Sequence, residues 1–175
     1  MATRFANALA KLGAAGQKVA VCETSAGGLI ASQLLAQPGA SKFFAGGVVG
    51  YSKTAKQAFL GLDPEASQPT STEPHARELA EACRAKLQTD WAIGETGVAG
   101  PSPNSRGISP GVCAIAVVGP NGFVASKMLF PDDTLSAEDA YGQAPKVPRA
   151  QAMQTFADGA LGLLVDSIDA QLERS

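Results

Sequence analysis

The chain has 175 residues, 45% of them apolar and 17% charged, a composition outside the weakly apolar, highly charged range that stays disordered. At roughly 100–200 residues per domain, this length predicts one domain over residues 1–175, with a core large enough to need neither metal nor disulfides. Fourteen Lys and Arg stand against sixteen Asp and Glu, a formal net charge of −2, and no basic block is long enough to track a phosphate backbone, so nucleic acid is not an expected ligand.

The first helix is predicted from Phe5, Ala8, Leu9 and Leu12, with Gly13 and Gly16 marking its exit. Lys18 to Cys22 reads as a short strand that ends in Glu23-Thr24-Ser25-Ala26-Gly27-Gly28, after which Leu29, Ile30, Leu34 and Leu35 resume a helical period. A second strand-to-helix unit runs from Gly46 to Tyr51 and on to Leu60, where Ser52 can cap the helix and Gly61 can end it. Residues 63–72 are rich in Pro, Ser and Thr, and Thr72-Glu73-Pro74 opens a helix that should reach Leu87. Trp91 to Glu95 is the next strand and closes on Thr96-Gly97-Val98-Ala99-Gly100-Pro101. Val112 to Val118 and Phe123 to Phe130 flank Gly119-Pro120-Asn121-Gly122 as a β-hairpin, Pro131 to Pro148 reads as a polar surface excursion, and a last amphipathic helix begins near Arg149.

Helices alternating with strands, followed by a hairpin and a closing helix, predict an α/β fold. Its expected form is a three-layer α/β/α sandwich whose sheet is mostly parallel with an antiparallel edge hairpin. Ligands of such sheets collect at the carboxyl ends of the strands, which brings the turns after Cys22, Tyr51 and Glu95 forward as one shared site.

Three cysteines, Cys22, Cys83 and Cys113, lie at no metal-ligand spacing, and the single histidine, His75, is far from each in sequence, so no metal site is expected. No run approaches the roughly 18 apolar residues of a membrane span, and the first residues lack a secretory pattern. A cytoplasmic protein with free thiols and no membrane partner is the expectation.

The turn Thr24 to Gly28 could present backbone amides to an anion and two hydroxyls to a reaction, or both hydroxyls could cap the following helix. Lys56 falls about one turn after Ser52, near a positively polarised helix start, where desolvation would make it a general base; the alternative is a solvated surface lysine. Lys53 lies off that face. Gly97 and Gly100 could line a concavity or form a tight turn, but neither a dinucleotide fingerprint nor a P-loop is present. A Cys22–His75 thiol pair is a weaker reading.

Taken together, Glu23 to Ala31, Pro38 to Phe44, Gly47 to Lys56, Leu60-Gly61 and Thr96 to Pro101 resemble, in order, the CinA C-terminal domain family, which contains the nicotinamide-nucleotide amidases. The resemblance implies a single α/β/α domain and a cofactor-independent hydrolysis of a carboxamide to the acid and ammonia. The ligand it implies is a small phosphorylated pyridine nucleotide or a related amide, and a homo-oligomer is expected. The family's catalytic serine falls on Thr24 and its lysine on Lys56, with Ser25 in place of a cysteine and Ala26 in place of a threonine. Tyr51, Thr96 and the glycines Gly27, Gly28, Gly97 and Gly100 would line the substrate pocket, and Arg149 is the remaining arginine placed to bind phosphate. The serine-to-threonine change and the family's missing arginines leave a second reading, a nucleotide-binding or assembly module of the same family that has lost the chemistry.

Overall fold

Apolar residues of the central strands divide between two buried faces, and that division sets the layers. The structure is a computed structural model that describes residues 2–131 and 147–172. In chain order the elements are α1 (Ala2–Ala14), β1 (Val19–Glu23), α2 (Leu29–Leu35), β2 (Phe44–Val49), α3 (Lys53–Leu60), α4 (Glu73–Leu87), β3 (Trp91–Gly97), β4 (Cys113–Val118), β5 (Val124–Leu129) and α5 (Arg149–Leu172). Val19 and Val21 of β1 pack into a core with residues of α1, α2 and α5, while Ala20 and Cys22 pack with Leu60 of α3 and Leu79, Ala80 and Cys83 of α4. A strand covered on both faces reads as a continuous apolar run, which is why β1 shows no polar alternation.

The sheet order is β2-β1-β3-β4-β5. β1 pairs parallel with β2 and with β3, and β4 pairs antiparallel with β3 and with β5. Four strands therefore share one direction and β4 opposes them, giving the expected α/β/α sandwich with an antiparallel hairpin at one edge. Because β1, β2 and β3 are parallel neighbours, the residues after Glu23, Val49 and Gly97 emerge at the same edge of the sheet.

Local chemistry explains most boundaries. Ser52 caps α3 by accepting from the Ala55 N–H at 3.0 Å, and Gly61 ends it with φ +73°. Thr72 caps α4 by accepting from the His75 N–H at 3.3 Å, with Pro74 tolerated in the first turn. α1 ends at Ala14, between Gly13 and Gly16, the two glycines read as marking its exit; Gly13 packs close to Lys42, whose Cβ would lie 3.2 Å from an added Cβ. β3 runs to Gly97 instead of ending at Glu95 because antiparallel pairing continues to the Gly97–Cys113 pair. α4 lies so close on β3 that a Cβ at Gly94 would sit 1.9 Å from the Ala76 carbonyl oxygen. The expected excursion from Pro131 to Pro148 falls mostly on residues 132–146, outside the described residues.

Candidate active site

Two buried carboxylates organise the first turn. Glu23, at the end of β1, accepts from the Ile30 and Ala31 N–H groups at 3.1 and 3.0 Å, so its carboxylate caps α2. Glu95 is fully buried on β3 and accepts from the Thr24 N–H at 2.8 Å, from the Ala26 N–H at 2.9 Å and from the Ser25 hydroxyl, with the Cys113 thiol 3.4 Å away. Burial raises the Glu95 pKa, opposed by the bonds from Ser25, Ala26 and Thr24. Gly27 and Gly28, at φ +67° and +103°, turn the chain into α2 in a conformation that favours glycine. The sequence-based alternative, in which Thr24 and Ser25 cap this helix, does not form: Gly28 is the N-cap, without a side-chain bond, and a carboxylate does the capping. Thr24 and Ser25 are both buried, and only the Ser25 hydroxyl is taken up by Glu95.

Lys56 is not a surface lysine. It is 7% exposed, whereas the Lys53 side chain is 71% exposed and pairs loosely with Glu65. Its stem lies over Gly50, where a Cβ would come within 3.1 Å of Lys56 Cγ and 3.3 Å of Cys22 Sγ. The Lys56 Nζ lies 3.0 Å from His75 Nε2, and His75 Nδ1 lies 2.8 Å from Glu78 Oε2, both within hydrogen-bond reach. Burial lowers the Lys56 pKa, reinforced by Lys53 and opposed by Cys22 and Glu78. Burial, and then Lys56, lower the pKa of His75, with Glu78 opposing. Lys56, buried and with its pKa lowered, gives up its proton more readily than a solvated lysine and so can serve as a base.

The His75 shift has a measurable consequence. Below the ordinary imidazole value of 6.5 the unfolded chain gains a proton that the native state resists. The His75 contribution to stability is therefore complete above that pH and is lost as pH falls from 6.5 toward the lower native value. Urea titrations between pH 7 and 5.5 should give an unfolding free energy that falls more steeply in the wild type than in His75→Gln, by up to about 1.4 kcal/mol per pH unit. Equal slopes would contradict the shift.

The remaining sequence-selected residues are distributed unevenly. Thr96 is buried and accepts from the Ser71 N–H at 3.1 Å, which ties the segment before α4 to β3. Gly97 gives Ser25 room, since a Cβ there would lie 2.9 Å from Ser25 Oγ. Tyr51, two residues beyond β2, stands 66% exposed. The Arg149 guanidinium, at the start of α5, donates to the Gly100 carbonyl oxygen and so joins that helix to the loop after β3. Cys22 pairs with no histidine here: His75 is engaged with Lys56 and Glu78, and burial pushes the Cys22 thiol well up, which removes the thiolate a nucleophile needs. Among the described residues no cluster of His, Cys, Asp and Glu could hold a metal ion, and no helix is long and apolar enough to cross a membrane.

The chain and its α/β/α fold have known relatives. The family model of the CinA C-terminal domain matches residues 2–144, and the chain belongs to that family. A CinA-like protein of Prochlorococcus marinus is 39% identical over 117 residues, 66% of this chain and 27% of that protein. Another from an Anaeromyxobacter species is 39% identical over 127 residues, 71% of this chain and 31% of that protein. The matched stretch is thus under a third of these relatives' length. Among solved structures, a CinA superfamily protein from Enterobacter cloacae shares the fold at a TM-score of 0.78 and 24% identity, covering 94% of this chain and 90% of that one.

Proposed function

We propose that the protein is a cofactor-independent amidohydrolase acting on the carboxamide of a pyridine mononucleotide such as nicotinamide mononucleotide, with Thr24 as nucleophile and Lys56 as general base. The observation that carries this reading is the burial of Lys56, which lowers its pKa at the edge where the Thr24 turn emerges. The neutral amine takes the Thr24 hydroxyl proton as Oγ bonds to the carboxamide carbon. When the C–N bond breaks, the ammonium returns that proton to the leaving nitrogen and ammonia departs. Water then cleaves the Thr24 ester, with Lys56 again as base, and releases the carboxylate.

Glu95 holds the Thr24 and Ala26 amides and Glu23 those of Ile30 and Ala31, so the amides of Gly27 and Gly28 are the ones assigned to the developing oxyanion. With two carboxylates at this turn, the phosphate is assigned to Arg149 and the Gly97–Gly100 loop, and the pyridine ring to the edge near Tyr51 and Thr96. Incubation with nicotinamide mononucleotide should release ammonia, and exhaustive chelation should leave the rate unchanged. Binding in a titration without ammonia release would favour the second reading, a nucleotide-binding module, while loss of activity to EDTA with recovery on zinc would overturn the threonine–lysine scheme. In support of the module, the amine of Lys56 is hydrogen-bonded to His75 and not to a hydroxyl.

A further inference from the structure

The His75–Glu78 pair lies outside the chemistry proposed above, yet it is built onto the lysine that chemistry needs. His75 is fully buried under the first turn of α4, and both its ring nitrogens are engaged. Glu78 Oε2 also accepts from the Gln68 N–H at 3.1 Å, so the carboxylate is anchored from two sides. An ionised carboxylate can only accept, so Nδ1 must carry the proton, and in a neutral ring Nε2 is then the acceptor facing Lys56. We propose that Glu78 and His75 are positioning residues for Lys56: Glu78 fixes the Nδ1–H tautomer, and Nε2 holds one N–H of the lysine. A nitrogen held by one of its hydrogens keeps its rotation restricted and its lone pair free for a substrate proton.

The balance of burial and charge around the ring favours its neutral form. Lys56 on α3 disfavours the imidazolium, and Glu78 on the same helix as His75 favours it less strongly than burial and Lys56 oppose it. On the Lys56 side, burial disfavours the ammonium first, Lys53 from α3 adds to it, and Glu78 from α4 opposes it. The arrangement orders carboxylate, imidazole and amine as a relay in which the imidazole orients its neighbour.

This inference rests on the amidohydrolase reading for its purpose but not for its test. The chain has one histidine, so the imidazole 15N spectrum of the labelled protein contains a single ring. It should show the neutral Nδ1–H tautomer and be less protonated at pH 6 than a free imidazole, which is about three-quarters protonated there. Glu78→Ala should release the ring to a mixture of tautomers, and Lys56→Met should move the Nε2 resonance toward that of an unbonded nitrogen while leaving Nδ1 in place. In turnover, His75→Leu should lower kcat about tenfold with KM unchanged, and His75→Gln, whose carbonyl can accept from Lys56, should recover most of it. An Nε2–H tautomer, half-protonation at pH 6.5, or an Nε2 resonance indifferent to Lys56→Met would overturn the proposal whether or not the protein hydrolyses amides. Unchanged kcat in a folded His75→Leu protein would also overturn it. Absence of amidase activity with the tautomer as stated would overturn the function reading alone.

Discussion

Replacing Lys56 by Met should lower kcat for ammonia release about 10³-fold while the protein stays folded. Met keeps most of the aliphatic stem that packs over Gly50 beside Cys22 Sγ and removes the amine. General-base catalysis contributes roughly 10²–10⁴-fold, and 10³-fold corresponds to about 4 kcal/mol of transition-state stabilisation. Arg at the same position should be no better, because a guanidinium stays protonated and cannot accept the hydroxyl proton. Thr24→Ala should cost as much, and the double variant Thr24→Ala with Lys56→Met should be little worse than either single one, since a nucleophile and its base act as a unit. Thr24→Ser should keep or raise turnover, because the β-methyl restricts χ1 and crowds the attack. Ammonia release at saturating substrate checks each variant, and a Lys56→Met protein with wild-type kcat would exclude the lysine from the chemistry.

The largest expected effect on stability lies under α4. A Cβ at Gly94 would stand 1.9 Å from the Ala76 carbonyl oxygen and 2.8 Å from the Ala80 nitrogen. Both are backbone atoms of one helix, so relief requires moving α4 off the sheet. Overpacking that side chains can absorb costs about 1–3 kcal/mol, and a clash with backbone on a buried face belongs at or above the top of that range. Gly94→Ala should therefore lose about 3 kcal/mol or more, a fall in the urea midpoint of at least roughly 1 M. Because α4 also carries His75 and Glu78, any folded fraction should show the perturbed histidine environment as well. A midpoint unchanged within about 0.2 M would mean that the helix can move away from β3 at little cost.

Elements whose signals are local were legible in the sequence. Ser52, Gly61, Thr72 and Pro74 act through neighbours within four residues, and the helices they bound fall where spacing predicted. The order of strands and helices, with the Gly119–Gly122 hairpin, was enough for the layer architecture. The candidate site was legible only in part. Lys56 and the Thr24 turn could be singled out, but whether the lysine was buried depended on Gly50 and α4, which spacing along α3 does not encode.

Glu23 and Glu95 were missed as organisers of the turn, since Glu95 acts on residues some 70 positions away and no local pattern links them. Their signal was an acidic residue embedded in an apolar strand run, at Glu95 within Trp91–Gly97 and at Glu23 closing Val19–Glu23. A buried carboxylate needs several donors, and the amides of an adjoining turn are the nearest supply. His75 was noticed for its rarity and weighed against Cys22, whereas its partners are Lys56 and Glu78. A helix start places an Nδ1 acceptor three residues on, at Glu78, and that spacing could have pointed to the pair.

The central claim is that the Thr24 hydroxyl, and not that of Ser25, attacks the amide. Ser25 donates to Glu95, whose neighbours Cys113 and Ala26 belong to the core under α2 and α5, while the Lys56 stem lies against Gly50, as does Cys22 Sγ of the core under α4. Ammonia release from nicotinamide mononucleotide under enzyme excess, measured for Thr24→Ala and Ser25→Ala beside the wild type, tests this most directly. The account predicts near-complete loss in Thr24→Ala and at least a tenth of the wild-type rate in Ser25→Ala. An active Thr24→Ala protein beside an inactive, folded Ser25→Ala protein would contradict it and make Ser25 the nucleophile.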